Sequence, residues 1–98
     1  MIHRLIVRTE ARADIVTAHR WYEDQLEGLG LRFVEAVDSC FDLVRRNPNA
    51  YPKLHKETQR ALVKGFPFAV FFRMQNDTIS IISCTHVRRS PERWQKRK

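Results

Sequence analysis

Phe68-Ala69-Val70-Phe71-Phe72-Arg73-Met74, then Asn76-Asp77, then Thr78-Ile79-Ser80-Ile81-Ile82-Ser83-Cys84-Thr85, is the stretch that decides the fold class. Both runs are dense in β-branched and aromatic residues, which fit a pleated surface. The Asn-Asp pair between them tolerates positive φ and suits a two-residue hairpin turn. Just upstream, Arg60 to Lys64 alternates as Arg, Ala, Leu, Val, Lys, as a short strand does, and Gly65-Phe66-Pro67 interrupts it. Asn49 to Thr58, with Pro52 and the cations Lys53 and Lys56, reads as an irregular loop.

Before Pro48 the period is different. Ala11, Ile15, Ala18, Tyr22 and Leu26 recur at helical spacing, and Thr9 stands where it can cap the helix, with Glu10 near its positive end. Glu27-Gly28-Leu29-Gly30 breaks that helix. A second stripe follows in Leu31, Val34, Val37, Phe41 and Val44, widened by Phe33, Ala36 and Cys40, and Asn47-Pro48-Asn49 ends it. The short connector predicts an antiparallel helical hairpin over Ala11–Leu26 and Leu31–Arg46. Ile2 to Val7 is β-prone and predicts a first strand. The expected order is β-α-α-β-β-β with a short basic C-terminal tail. This is an α+β domain, a helical hairpin packed on a small, mainly antiparallel sheet, and 98 residues make it a single domain spanning 1–98.

Eighteen Lys and Arg stand against 11 Asp and Glu, a formal net of +7. The excess is confined to two places. Lys53, Lys56, Arg60 and Lys64 face the single acid Glu57, and Arg88, Arg89, Arg93, Lys96, Arg97 and Lys98 face the single acid Glu92. A small, strongly basic protein calls for a polyanionic partner, an acidic protein or an acidic membrane surface. No apolar run approaches the roughly 20 residues of a membrane span, and no signal-peptide pattern opens the chain. Cys40 and Cys84 sit in apolar surroundings and are expected to be reduced, buried thiols of a cytoplasmic protein. The four histidines have no close metal-ligand spacing, and no phosphate-cradling glycine loop or nucleophile elbow occurs. Neither metal nor cofactor is expected.

The pieces also fall in a distinctive order. Trp21-Tyr22-Glu23 leads to Gly28-Leu29-Gly30 and Phe33; Asn47-Pro48 and Tyr51-Pro52 follow; then come Arg60, Phe66-Pro67-Phe68, Val70 and Phe71-Phe72-Arg73. His86-Val87-Arg88-Arg89-Ser90-Pro91, Trp94 and Arg97 close the series. Across nearly the whole chain this set resembles the RelE/ParE superfamily of toxins from type II toxin–antitoxin modules, closest to its ParE-like, plasmid-stabilisation branch. The resemblance implies a helical hairpin on a small antiparallel sheet, and growth inhibition relieved by a cognate antitoxin from an adjacent gene, of ribbon-helix-helix or similar DNA-binding type. ParE-like members that are understood poison DNA gyrase. RelE-like members cleave messenger RNA on the ribosome.

The two targets ask different things of the residues. RNA cleavage by a ribose 2′-hydroxyl needs a proton acceptor, a proton donor and positive charge at the phosphate. His86, with Arg60, Arg88 and Arg89 as a phosphate clamp, is the candidate set for that chemistry. RelE-like nucleases often carry a tyrosine near the C-terminus, whereas the tyrosines here are Tyr22 and Tyr51, which weighs toward gyrase. A gyrase inhibitor needs no active site, and Lys64, Arg73, Arg88, Arg89, Trp94 and Arg97 are then the target-binding candidates. Trp94 has a second reading, as a lid over the sheet edge. Trp21, Tyr22 and Phe33 pack between helices and sheet, and the resemblance adds a role for them, with Arg60, as a surface the antitoxin covers. A plain nucleic-acid-binding module is a further alternative, although the basic residues lie in a loop and a tail and not on a recognition helix.

Overall fold

The computed structural model describes residues 2–89 and 92–97. Ser90, Pro91 and Lys98, and the side chains of Glu92 and Arg93, lie outside the described residues. The elements are β1 (Arg4–Val7), α1 (Thr9–Gln25), α2 (Leu29–Arg46), a 3-10 turn (Pro48–Ala50), β2 (Lys53–His55), β3 (Thr58–Leu62), β4 (Phe68–Gln75), β5 (Thr78–His86) and α3 (Glu92–Gln95). The strands form one sheet in the order β1-β5-β4-β3-β2, antiparallel except for the parallel β1–β5 pair. The expected α+β architecture and element order hold.

Three local expectations change. Asn49–Thr58 is not wholly irregular, because Lys53–His55 pairs with β3 as an edge strand. Its turn is Lys56-Glu57, with Lys56 at φ 53°, a left-handed conformation that lysine seldom signals. Thr9 is the first residue of α1, Arg8 takes the cap position, and no side chain caps the helix. In the β4–β5 hairpin only Asn76 adopts positive φ (59°).

Burial follows the two helical stripes. Ala11, Ala18 and Tyr22 of α1 and Phe33, Val37, Cys40 and Val44 of α2 meet Ala61, Val63, Val70, Phe72, Ile79, Ile81 and Cys84 from the β3–β5 region. Leu26 and Leu31, at the ends of the expected stripes by the hairpin turn, are solvent-exposed instead. A second, smaller cluster lies elsewhere on the sheet: Ala69, Phe71, Ile82 and Trp94. Alternate residues of β4 therefore enter different clusters, Val70 and Phe72 the first, Ala69 and Phe71 the second. Burial on both faces explains why Phe68–Phe72 reads as a continuous apolar run. A bulge lies between Phe71 and Phe72: Phe71 pairs with Ser83 and Phe72 with Ile81, leaving Ile82 as the extra residue. The side-chain alternation of β5 shifts there, so Cys84 joins Ile79 and Ile81 in the larger core.

Candidate functional site

Two concavities meet at the C-terminal end of β5. The larger, about 560 Å³, is a groove between α1 and β5. Asp14, Ala18, Trp21 and Tyr22 form its helix wall, Phe68 and Cys84 belong to its sheet side, and His86 and Arg89 form its basic end. Trp21 is 58% exposed and meets Tyr22 edge-on at 5.1 Å. Tyr22 is nearly buried, and its ring contacts Phe33, Phe66 and Phe68 with centroids 5.0–6.0 Å apart. Phe33 is fully buried, so of the expected antitoxin-binding aromatics Trp21 and Tyr22 reach the groove and Phe33 supports it from beneath. Arg60 lies elsewhere, on β3.

The smaller cavity, about 100 Å³, is lined by Arg60, Phe71, His86, Arg89, Trp94 and neighbours. The fold thus brings together three of the four residues suggested for RNA cleavage. Arg88 is exposed and does not line it. His86 accepts the Arg88 backbone N–H on Nδ1 at 3.1 Å and meets Phe68 edge-on at 5.5 Å. A neutral imidazole whose Nδ1 accepts carries its proton on Nε2, so the free nitrogen is a donor. Among the described residues lining this cavity there is no carboxylate and no second imidazole to take a proton.

The expected target-binding residues divide. Lys64, Arg88 and Arg89 are exposed. Trp94 is 7% exposed and stacks on Phe71, centroids 4.3 Å apart and planes at 12°. It therefore covers the second face of the sheet and has no free ring for stacking on a target. Arg73 donates from Nε to Thr58 Oγ1 (3.0 Å) and from Nη2 to the Arg97 carbonyl (2.9 Å). Arg97 forks onto Asp14 at 2.6 and 3.2 Å and also donates to the Ile82 carbonyl at 3.0 Å. The hydrogen bonds to Asp14 raise the guanidinium pKa above its already high value. In the basic loop, Lys53 pairs with Glu57 at 2.8 Å on an exposed turn, which partly neutralises that patch.

Asp14 was not singled out from the sequence. Its signal is its position: three residues after Ala11 and four before Ala18, a carboxylate falls on the buried stripe. There it accepts the Cys84 backbone N–H at 3.0 Å as well as the Arg97 fork. Gln59, also unremarked in the sequence, is buried and donates to the carbonyls of Pro48 (2.7 Å) and Tyr51 (3.1 Å), fixing the segment between α2 and β2. Among the described residues no three His, Cys, Asp or Glu side chains group as a metal ion would require.

No protein-family model matches the sequence, and no curated protein matches it. A solved structure described as "Chromosomal ParDE TA system from P. aeruginosa" contains a chain that superposes with a TM-score of 0.78. The superposition covers 87% of this chain and 96% of that one, at 17% sequence identity. The two chains share one fold. At that identity the ParDE neighbour establishes architecture, and residue roles rest on the geometry given above.

Proposed function

We propose that this chain is the toxin of a type II toxin–antitoxin pair, that it inhibits DNA gyrase in the cytoplasm, and that an antitoxin encoded beside it neutralises it. The fold likeness to a chain of a ParDE system, over nearly all of both chains, carries the reading. The site geometry is compatible with it. An apolar groove that opens beside His86 and Arg89 suits an acidic segment that orders on binding. Exposed Lys64, Arg88 and Arg89 supply a cationic surface for a large target. No described helix is long and apolar enough to cross a membrane. Expression of the chain alone should slow bacterial growth, and co-expression with the neighbouring gene should restore it. The purified chain should inhibit gyrase supercoiling. Normal growth with abundant folded chain would overturn the toxin reading.

One observation favours a second reading, a metal-independent endoribonuclease acting on ribosome-bound message. His86, Arg60 and Arg89 converge on one cavity, which supplies a donor and two cations where a phosphate would sit. The missing proton acceptor ranks this reading below the first.

A further inference from the structure

Arg60 on β3 and Arg89 after β5 both line the cavity of about 100 Å³ beside Trp94. Among the described residues neither guanidinium has a hydrogen-bond or ion-pair partner. Other arginines of the sheet region are committed to the fold: Arg8 to Ser80, Arg73 to Thr58, Arg97 to Asp14. His86 adds its Nε2–H to the same cavity, the donor left free when Nδ1 accepts the Arg88 N–H. The remaining lining is chiefly apolar and includes Leu54, Phe71, Val87 and Trp94. The result is a basic pocket with apolar walls and, among the described residues, no acid of its own.

Such a pocket fits a carboxylate better than a phosphodiester. Two planar guanidinium forks and an imidazole N–H match two carboxylate oxygens, and the apolar walls take the methylene stem behind them. A phosphodiester brings two ester oxygens and two sugars, which apolar walls cannot hydrate. The volume is below the roughly 300–1,000 Å³ of small-molecule pockets, so the fit is to a side-chain head group. The larger groove shows what that head group hangs from. Thr85, His86 and Arg89 line both concavities, so an occupant of the groove reaches the pocket at that end. The groove is basic only there; the rest of its lining holds the Asp14 carboxylate, aromatic rings and small residues. A nucleic acid carries a charge at every residue and would find no cations along that path. A polypeptide with apolar residues and one acid meets both parts. We propose that the Arg60–Arg89–His86 pocket binds one Glu or Asp side chain of the neutralising partner, whose apolar residues lie against Trp21 and Tyr22 in the groove. This deepens the toxin–antitoxin reading and rests on it for the partner, though not for the ligand class. Arg60 thereby joins the same binding surface as the groove.

The ligand class is tested on the purified chain by NMR titration at fixed ionic strength. The probes are N-acetylglutamate α-amide, the matching glutamine compound and dimethyl phosphate. The glutamate probe should shift the Arg60 and Arg89 Nε–H and Trp94 indole N–H signals saturably, and the glutamine probe should not. Dimethyl phosphate should bind at least about tenfold more weakly, and Arg60→Gln or Arg89→Gln should weaken the glutamate probe about tenfold, the loss of one charge-assisted hydrogen bond. No saturable shift, or equal shifts at Arg88 and Lys64, would overturn the pocket. Dimethyl phosphate binding as tightly as the glutamate probe would overturn the carboxylate assignment in favour of a nucleic-acid phosphate. The partner is tested by calorimetry with the purified product of the neighbouring gene. Arg60→Gln should weaken that complex about tenfold, with part of the loss recovered in Arg60→Lys. Arg46→Gln, which removes the same charge outside both linings, should change it little. Equal losses in Arg60→Gln and Arg46→Gln would show that net charge and not the pocket holds the partner, which overturns the proposal. If the neighbouring product does not bind the wild-type chain, the antitoxin reading falls and takes the partner half of the proposal with it. The probe titration still decides in that case whether the cavity is a carboxylate pocket.

Discussion

The carboxylate of Glu23 accepts the backbone N–H of Gly30 at 3.0 Å on one oxygen and that of Gly28 at 3.0 Å on the other. A side chain late in α1 thereby satisfies donors at the start of α2, which no residue of its own sequence caps. The two glycines serve different ends. Gly28 has φ 87°, and nothing lies within 4 Å of a Cβ placed there. Gly30 brings the helices together: a Cβ there would sit 2.8 Å from the His19 carbonyl and 2.9 Å from Glu23 Oε1.

Gly30→Ala should therefore be the more damaging change. The His19 carbonyl belongs to helix backbone and cannot move aside, so the hairpin must separate. Gly28→Ala meets only the backbone penalty of positive φ, about 1 kcal/mol, and Gly28→Asn less. Melting curves of the three variants should rank them in that order.

Glu23 also makes stability depend on acid. The Gly28 and Gly30 N–H groups hold its carboxyl below the usual carboxylate range. A depressed pKa contributes stability above the unfolded value of about 4.3, and loses it as pH falls through the folded value. Glu23→Gln should flatten the acid limb of a pH–melting profile. An unaltered limb would show that the contact does not stabilise the hairpin.

Phe33→Ala should cost about 3–5 kcal/mol, since the ring is fully buried between Tyr22, Phe66 and Phe68. That is a large part of the roughly 5–15 kcal/mol of a typical domain. Leu31→Ala, two residues earlier at a position 61% exposed, should stay within about 0.5 kcal/mol. Chemical denaturation of the pair separates the observed core face from the one the helical spacing alone suggests.

Burial pushes the Cys40 thiol up to about 11, and burial together with the Asp14 carboxylate pushes Cys84 to about 12. Raised thiol pKa values leave stability intact below the unfolded value of about 8.5 and erode it as pH rises from there. At pH 8 the native thiols should react with a disulfide reagent at least about two orders of magnitude more slowly than in denaturant, Cys84 more slowly than Cys40. Rapid native labelling would place them at the surface.

His86→Gln separates the two proposed mechanisms. A nuclease that loses its proton-transfer group slows about 10²–10⁴-fold, so this variant should stop cleaving ribosome-bound message while still folding. A gyrase inhibitor should retain most of its toxicity. The second outcome is expected, because His86 Nδ1 is engaged by Arg88 and the cavity offers no acceptor.

By itself the sequence determined the helices, the β4–β5 hairpin and the hairpin-on-sheet architecture, because each rests on short-range signals: a 3.6-residue stripe, β-dense runs, and glycine, proline or asparagine at the turns. It also marked the basic C-terminal segment, since charge is a matter of composition. What it could not express is what distant segments do to one another. Trp94 is a cover because Phe71 lies beneath it, and Arg97 is an anchor because Asp14, 83 residues away, has no other cation beside β5 among the described contacts. β2 exists because β3 offers it an edge, through a Lys56 turn that carries no residue signature. Periodicity records which face of an element is apolar; only packing decides whether a cation is left free for a partner or is held by the fold.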